Sequence, residues 1–274
     1  MSISADRERE FYDLAYAQFL ELADSDLVCN RRTIEADLAN PAKKIFERRR
    51  LYEAILRALL AEPAIGLNVL DYGCGTGDWG LMLAGEGSNV TSLDLSPVAI
   101  QVVLRRAVAS GVADRVRGVA RDASDLTCFA DEEFDLIYGS AAIHHTLKYP
   151  HALEELMRVL RKGGRLVLAE TFGNNSLLNL ARRLGWRIRG QAEEAGEEIV
   201  FSSEHVALLR AHLRELELMP LNLLAMAKRL FRGRFENSSV RATLEVLEAM
   251  DRALFKAAPW LRRYCGEVVV VGRK

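Results

Sequence analysis

Between residues 67 and 171 the sequence alternates short apolar runs with longer segments of helical periodicity, and this pattern restricts the possible folds most. The apolar runs cover residues 67–71, 89–94, 116–120, 134–138 and 165–169. The helical segments lie near 78–85, 97–110 and 149–160. Apolar strands separated by helices form a parallel sheet that is covered on both faces. The pattern therefore predicts a doubly wound α/β fold, in which ligands bind beyond the carboxyl ends of the strands.

Turn residues mark several of these boundaries. Ser96-Pro97 is typical of an N-cap followed by the first residue of a helix. Gly163-Gly164 is expected to end the third helix and lead into the next strand. Trp79, near the start of the first helix, is expected to be buried.

The chain is extended at both ends of this core. Residues 1–62 are charged and helical in period, and we expect an N-terminal helical cap that covers the mouth of a site. The first helix is predicted to pack through one apolar face, formed by Phe11, Leu14, Ala15, Gln18 and Leu22. The run Arg48-Arg49-Arg50 is expected to be a solvated face.

Residues 63–274 are predicted to form the main domain, within which 172–265 contain a lid or substrate-binding insertion. Roughly ninety residues separate the fifth strand from the last, which is too many for a simple connection. The predicted elements of this region are an amphipathic helix after 173–176, an acidic turn at 193–198, a helix to about 213, a strand at 216–224, a helix at 240–256 and a final strand at 268–271.

Composition excludes several classes of protein. The 37 lysines and arginines balance 38 acidic residues, and a formal net charge of −1 gives no field for nucleic acid. No apolar stretch approaches the roughly 20 residues of a membrane span, and the polar opening is unlike a secretory signal. Four scattered cysteines lack metal-ligand spacing and are typical of reduced thiols. We therefore expect a cytoplasmic protein without a metal site.

The most informative segment is the glycine-rich loop at residues 69–80, which reads VLDYGCGTGDWG. Gly75, Gly77 and Gly80 have the spacing of the dinucleotide fingerprint, so a nicotinamide or flavin enzyme is one interpretation. Asp71 argues against it, because a carboxylate beside the loop would repel a pyrophosphate. An acid at this position suits a ligand that carries an ammonium or sulfonium group.

This segment resembles the first motif of the class I S-adenosylmethionine (SAM)-dependent methyltransferases, and the resemblance extends over about 67–171. Segments 134–140 and 160–166 are similar to later motifs of the family. The resemblance implies a seven-stranded, mostly parallel sheet whose last strand is inserted antiparallel. It also implies an acid on the ribose hydroxyls at Asp94, an acid-plus-small pair on the adenine amino group at Asp122-Ala123, and an aromatic hydroxyl over the methionine end at Tyr16, with Tyr12 behind it. The residues implied to bind SAM are Tyr16, Asp71, Gly73, Cys74, Gly75, Gly77, Asp94, Leu95, Asp122, Ala123 and Ser140.

The segment after the fourth strand departs from one branch of this family. Members that methylate exocyclic amines of nucleobases carry a motif similar to N-P-P-Y there, whereas residues 140–145 read SAAIHH. Together with the near-zero net charge, this argues against DNA as the methyl acceptor.

His144 and His145 lie in this segment, at the edge where the methyl group of SAM would point. A hydroxyl nucleophile must lose a proton, and histidine titrates in the range suited to accept it. We expect His145, or else His144, to act as the general base. The alternative is that one of the pair packs beneath the loop and bonds the backbone.

The sequence thus predicts SAM-dependent methyl transfer to a small or medium-sized hydrophobic molecule, with oxygen as the favoured acceptor. A first alternative is N- or C-methylation of a lipid, quinone or natural-product intermediate at a membrane surface, since residues 221–234 are apolar and then basic. Pro220 and the alternation at 215–218 favour a strand entering a short helix instead. More remote alternatives are a nicotinamide-dependent oxidoreductase and a non-catalytic partner protein with the SAM fold. The sequence does not indicate an oligomeric state.

Overall fold

The structure, a computed structural model, describes residues 5–147, 149, 151–180 and 200–274. Its strands form one seven-stranded sheet in the order β3-β2-β1-β4-β5-β7-β6. The strands are β1 (Asn68–Tyr72), β2 (Asn89–Asp94), β3 (Val116–Ala120), β4 (Phe134–Ser140), β5 (Leu160–Thr171), β6 (Glu215–Leu221) and β7 (Glu267–Arg273). The helices are α1 (Ala5–Ala17), α2 (Asp24–Leu27), α3 (Arg31–Ala39), α4 (Arg49–Leu59), α5 (Asp78–Gly85), α6 (Pro97–Ala109), α7 (Ile143–Thr146), α8 (Ala152–Val159), α9 (Ser203–His212) and α10 (Ser238–Ala257). Short 3-10 helices cover Gln18–Glu21, Lys44–Arg48, Ala113–Arg115, Leu224–Phe231 and Pro259–Tyr264.

Strands β1 to β5 are parallel, and β7 is inserted antiparallel between β5 and the edge strand β6. The five central apolar runs become strands because helices cover both of their faces. Helices α3 to α6 pack on one face with Val69 and Val90, and α8 and α9 pack on the other with Leu70 and Leu166. The predicted doubly wound fold is confirmed, including the antiparallel final strand.

The connections from β1 run through α5 to β2, whereas those from β4 run through α8 to β5 on the opposite face. The chain therefore changes face between the neighbouring strands β1 and β4. A crevice opens at such a switch point, beyond the carboxyl ends of the two strands. The glycine loop after β1 and the histidine pair after β4 both lie at this edge.

Two predicted turns have different outcomes. Ser96 caps α6 as predicted, since its Oγ accepts a hydrogen bond from the Ala99 amide at 3.1 Å. The prediction for Gly163-Gly164 is wrong, because α8 ends at Val159 and both glycines lie within β5. Their backbones bond the C-terminal residue Lys274, and Gly163 has φ +75° next to a register shift between β4 and β5. The glycines thus shape a bulge in the strand rather than the end of a helix.

The inward side of α1 differs from the predicted apolar face. Leu14 is 80% exposed and Phe11 is also exposed, whereas Glu8, Tyr12 and Tyr16 are partly buried. The helix lies against α6 at the crevice rather than on the apolar core. Its inward stripe is therefore polar and aromatic, and the Tyr12 and Tyr16 rings stack at 5.9 Å.

The expectation that Arg48-Arg49-Arg50 is a solvated face is also wrong. Arg49 and Arg50 donate to the buried carboxylate of Glu248 in α10, at 2.7 and 2.6 Å. Arg48 lies 3.5 Å from the buried Glu267 at the start of β7. These arginines connect the N-terminal helices to the C-terminal part of the chain, which is why they are partly withdrawn from solvent.

The C-terminal part contains the predicted strand and helices as β6, α9 and α10. Residues 224–231 form a short 3-10 helix after β6, so the segment predicted to be a strand entering a short helix has that form. The acidic turn at 193–198 lies outside the described residues, as does most of the amphipathic helix expected before it. The division into a cap, a main domain and an insertion stays a prediction. Within the described part of the chain, no helix combines the length and apolar character needed to cross a bilayer.

Candidate active site

The glycine loop between β1 and α5 turns on three residues with positive φ. Gly73, Gly75 and Gly77 have φ of +67°, +53° and +77°, a region that costs other residues about 1–2 kcal/mol. A Cβ on Gly77 would lie 2.7 Å from a methyl of Val103, and one on Gly73 would lie 2.5 Å from the Cβ of Ala142. The loop therefore needs glycine both for its backbone conformation and for its close packing.

Asp94, at the end of β2, is bound to this loop. One carboxylate oxygen accepts from the Gly75 amide at 2.9 Å, and the other accepts from the Ser96 amide at 2.9 Å. Burial raises the pKa of Asp94, although these backbone bonds oppose that effect. Leu95 follows directly, between Asp94 and the cap of α6. The carboxylate thus lies beside the glycine loop at the carboxyl end of β2, and its contact with a ribose stays a prediction.

Asp71 is almost fully buried one residue before the end of β1. Burial, with the nearby charges of Asp94 and Asp78, raises its pKa to about 7. Its Oδ2 atom has no hydrogen-bond partner among the described residues. Three carboxylates thus converge beneath the loop, and a cationic group bound there would offset their mutual repulsion.

The side chain of Arg106 in α6 connects the loop to the N-terminal segment. Its guanidinium donates to the carbonyl oxygens of Thr76 and Leu27 and pairs with Asp78 at 2.8 Å. Arg106 is buried, and two of its partners lie at the end of the glycine loop while the third, Leu27, lies in the N-terminal segment. Arg106 therefore fixes the loop and the helical cover in one arrangement, a role that the sequence analysis missed.

Helix α1 covers the loop from outside. Asp13 accepts a hydrogen bond from the Ser96 hydroxyl at the start of α6, which anchors the helix. A Cβ on Gly75 would lie 3.0 Å from the Tyr16 hydroxyl. Tyr16 therefore closes over the glycine loop, with Tyr12 stacked behind it. Cys74 forms the middle of the loop, where its amide donates to the Leu93 carbonyl at 2.9 Å.

Asp122 and Ala123 follow β3. Asp122 accepts from both the amide and the hydroxyl of Ser124 at 2.8 Å, which makes a tight turn. The Tyr72 hydroxyl lies 2.8 Å from the Ala123 carbonyl oxygen and 2.7 Å from Oγ1 of Thr146 in α7. Tyr72 therefore links the predicted adenine side of the crevice to the helix that carries the histidines. It was not identified from the sequence.

The histidine pair begins after Ser140, the last residue of β4. Ala141 has φ +52°, and Ala142 packs against Gly73, so the chain turns sharply beside the glycine loop. His144 Nδ1 lies 2.7 Å from Oε2 of Glu170, near the end of β5. The other oxygen of Glu170 lies 3.2 Å from the backbone amides of Ala142 and Ile143 and accepts from them.

The hydrogen bond between His144 Nδ1 and Glu170 determines the chemistry of His144. Glu170 has no exposed surface and accepts at both oxygens, whereas the His144 side chain is 13% exposed. A carboxylate only accepts hydrogen bonds, so the neutral imidazole donates from Nδ1 and has its lone pair on Nε2. A base held in this way by a buried acid is the arrangement of a general-base dyad.

His145 has a different environment. Its ring lies 4.2 Å from the His144 ring, and its Nδ1 lies 3.5 Å from a carboxylate oxygen of Glu8 in α1. It therefore contacts the helical cover through Glu8. Glu170 could have been suspected from the sequence, because it is an acid that follows the apolar run at 165–169 and so lies at the carboxyl edge of the sheet.

The residues present fit SAM. Its sulfonium and ammonium groups carry positive charge, and the orphaned oxygen of Asp71 lies among the acids beneath the loop. Gly75 and Asp94 provide a close backbone and a diol acceptor. Within the described residues, no group of three or more His, Cys, Asp or Glu side chains is placed to hold a metal ion.

Comparison with known proteins agrees with this geometry. Residues 69–164 match the family model described as a methyltransferase domain. The chain is 37% identical over 108 residues to the demethylmenaquinone methyltransferase of Clavibacter sepedonicus, which covers 39% of this chain and 42% of the relative. It is also 37% identical over 109 residues to the O-methyltransferase cnsE of Penicillium expansum, with 39% of each chain covered.

The chain spans less than half the length of these curated relatives. The fold is shared more widely. The crystal structure of geranyl diphosphate C-methyltransferase from Streptomyces coelicolor A3(2) superimposes with a TM-score of 0.56, covering 98% of this chain and 96% of that one. The two sequences are 15% identical, so this likeness shows the fold alone.

Proposed function

Because residues 69–164 form a class I SAM-dependent methyltransferase domain, we propose that the protein transfers the methyl group of SAM to a hydroxyl of a small or medium-sized hydrophobic molecule. His144 is the proposed general base, and Glu170 positions it. The observation that carries this proposal is the 2.7 Å hydrogen bond between His144 Nδ1 and the buried carboxylate of Glu170.

The reaction is an in-line displacement at the methyl carbon. The acceptor oxygen forms a bond to that carbon while the carbon–sulfur bond breaks, and its electron pair stays on sulfur as a neutral thioether. The proton of the hydroxyl passes to His144 Nε2, and Glu170 stabilises the imidazolium that forms. Holding the acceptor in line with the sulfonium supplies a large part of the acceleration.

The cofactor is held by the loop and its surroundings. Asp94 is proposed to accept from the ribose hydroxyls, and Asp122 with Ala123 to contact the adenine. Asp71 offsets the positive charge at the methionine end, and Tyr16 closes over it. The remaining proposed contacts come from Leu95, Ser140 and four residues of the glycine loop, namely Gly73, Cys74, Gly75 and Gly77.

Carbon is the second candidate acceptor. The chain is similar over 108 residues to a demethylmenaquinone methyltransferase, and a quinone is therefore a second acceptor that we propose. A ring carbon beside a hydroxyl becomes nucleophilic when that hydroxyl loses its proton, so the same dyad would serve. Whether oxygen or carbon is the acceptor atom, the proposed partner is a hydrophobic small molecule rather than nucleic acid. The cytoplasmic location of the protein stays a prediction.

The proposal is tested by single-turnover methyl transfer from labelled SAM to a panel of phenols, enols and quinols. We expect product with at least one hydroxyl acceptor and a loss of about 10²-fold or more in His144→Ala. His145→Ala is the matched variant, and we expect it to retain more activity than His144→Ala. Equal rates for His144→Ala and wild type would disprove the assignment of the base. Titration with SAM and with NADH separates the oxidoreductase alternative, since binding of NADH alone would contradict a methyltransferase.

A further inference from the structure

The long helix α10 has two sides of different character. On its inward side, Leu244 packs with Phe46 and Phe235. The carboxylates of Glu248 and Asp251 are buried on the same side and accept hydrogen bonds from the N-terminal helices and from the backbone that follows β6. These contacts fix the helix on the protein, so its outward side is presented in one orientation.

The outward side of α10 is apolar along its length and yet exposed. Val246 is 58% exposed and Met250 is 47% exposed. With four exposed alanines at helical spacing they form a continuous stripe, which we call the outer face and which consists of Ala242, Val246, Ala249, Met250, Ala253 and Ala257. Trp260, in the 3-10 helix that follows, is 61% exposed. A contiguous exposed apolar surface of this kind marks an interaction site.

The order of residues in the outer face is symmetrical about its middle. Counted from a point between Ala249 and Met250, the apolar residues occupy the first, fourth and eighth positions in both directions. Two such helices that lie antiparallel about a two-fold axis at this point therefore place each apolar residue of one copy opposite an apolar residue of the other. Val246 lies opposite Ala253 of the second copy, and the alanines let the two helix axes approach to about 8 Å.

Charged residues on one flank of the outer face complement each other in the same arrangement. Glu245, Arg252 and Lys256 are exposed, and none of them forms an ion pair within the part of the chain that the structure describes. A two-fold axis perpendicular to the helices brings this flank of both copies to the same side of the pair. At a rise of about 1.5 Å per residue, Glu245 of one copy then lies about 3 Å along the axis from both Arg252 and Lys256 of the other. In a parallel pair the two flanks would lie on opposite sides, so the charges favour the antiparallel pair.

A lipid surface is the other class of partner that an exposed apolar helix face can bind. Interfacial helices carry large side chains such as Trp, Phe and Leu on the apolar face and Lys or Arg along the polar face. The outer face has alanine at four of its six positions, and its charged flank contains an acid, Glu245. Alanines suit close packing of a second helix, and the acid suits the cations of a second copy.

We propose that the outer face of α10 binds a second copy of this chain, as an antiparallel helix pair about a two-fold axis between Ala249 and Met250. A single pair of helices buries less than about 1,200 Å², which is the range of weak and transient interfaces. The dimer is therefore expected to have a Kd on the order of 10 µM. This association is independent of the methyl-transfer reaction proposed above.

The test is sedimentation equilibrium of the full chain over concentrations that span this Kd. Val246→Arg should raise the Kd of the dimer by about tenfold or more, because it places a cation in the contact, close to Arg252 and Lys256 of the second copy. Val108→Arg is the matched control, since Val108 is a 69% exposed valine near the end of α6 and lies outside the outer face. It should change the Kd by less than about twofold.

A charge exchange tests the register without relying on the apolar contact. Glu245→Lys alone should raise the Kd by about tenfold, because it opposes like charges on the second copy. Combining it with Arg252→Glu and Lys256→Glu reverses every charge of the flank and should restore the Kd to within about threefold of wild type. All three positions are exposed, and urea unfolding of each variant checks that the fold is retained.

Several results would overturn the proposal. A wild-type chain that stays monomeric over the whole concentration range would exclude the dimer, and an unchanged Kd in Val246→Arg would place the contact elsewhere. Failure of the triple exchange to restore the Kd lost in Glu245→Lys would exclude the antiparallel register. Co-sedimentation of a monomeric wild type with vesicles of phosphatidylcholine and phosphatidylglycerol, abolished in Val246→Arg, would assign the outer face to a lipid surface instead.

Discussion

The Nδ1 atom of His144 lies 2.7 Å from Oε2 of Glu170, and the same carboxylate accepts from the backbone amides at the start of α7. One buried acid therefore fixes both the ring and the short helix that carries it. The effect is to hold the imidazole in a single tautomer beside the glycine loop. The Nδ1 atom of His145 lies 3.5 Å from a carboxylate oxygen of Glu8, so this contact connects the second histidine to α1.

Replacing Glu170 by glutamine should lower kcat by about 10²-fold with little change in KM, because an amide does not stabilise the imidazolium. The pH profile of kcat should shift in the same variant, which a purely structural loss would not produce. Glu154→Gln is the matched control, since Glu154 pairs with the exposed His151 at the same 2.7 Å. A normal rate and pH profile in Glu170→Gln would contradict its positioning role.

Replacing Gly77 by alanine should destabilise the fold by about 2–3 kcal/mol and weaken SAM binding by more than tenfold, since strain at positive φ adds to a clash with Val103. Gly163→Ala is the matched control, because φ is +75° there but nothing lies within 4 Å of the added Cβ. It should cost about 1 kcal/mol and leave SAM affinity unchanged. Urea unfolding measures the change in stability, and titration with SAM measures the change in affinity. Equal losses of stability and affinity in Gly77→Ala and Gly163→Ala would show that packing against Val103 does not matter.

The affinity for SAM should rise with pH between about 5.5 and 7.5. The pKa of Asp71 is raised to about 7, so the carboxyl is largely protonated at the lower pH and must ionise to pair with a cation. In the absence of cofactor, pH has the opposite effect on stability. Between the unfolded pKa near 3.8 and the folded pKa of about 7, Asp71 is protonated more in the folded state than in the unfolded state. The free energy of unfolding therefore falls as pH rises through that window.

Asp71→Asn serves as the comparison for this pH dependence. It should bind SAM more weakly at pH 7.5, and its affinity should be nearly independent of pH across the same window. Titration calorimetry in two buffers of different ionisation enthalpy counts the proton released by wild type on binding. An unchanged slope in Asp71→Asn would assign the pH dependence to another group.

Replacing Glu267 by glutamine should destabilise the protein by about 3–5 kcal/mol, because Lys228 and Arg48 would lose their buried counter-ion. The pKa of Glu267 is lowered to about 2, so its contribution is fully present above the unfolded value near 4.5 and is lost as pH falls towards 2. The loss should therefore be measured by denaturant unfolding at pH 7 and should shrink in acid. Glu35→Gln removes an exposed pair with Arg31 and should cost less than about 1 kcal/mol.

The sequence by itself determined the sheet and the glycine loop, because both depend on local patterns. Apolar runs between helices require burial on two faces, and the positive φ of Gly73, Gly75 and Gly77 is a property of the backbone that only glycine adopts readily. The final strand was predicted to be antiparallel through the family resemblance, and the order of the sheet agrees. Single side chains at strand ends, such as Asp94, could be placed because the carboxyl ends of parallel strands share one edge.

Only the tertiary structure decided which side chains meet across that edge. Glu170 lies 26 residues from His144 and reaches it because β5 is the neighbour of β4. The arginines at the start of α4 were expected to be solvated, since a local charge run gives no sign of acids that arrive from the C-terminal part of the chain. The inward face of α1 was likewise misassigned, because a helix that covers a crevice packs through polar and aromatic groups. Pairing across strands and segments is a property of the assembled sheet, and it selects the partners that set the charge and the tautomer of each group.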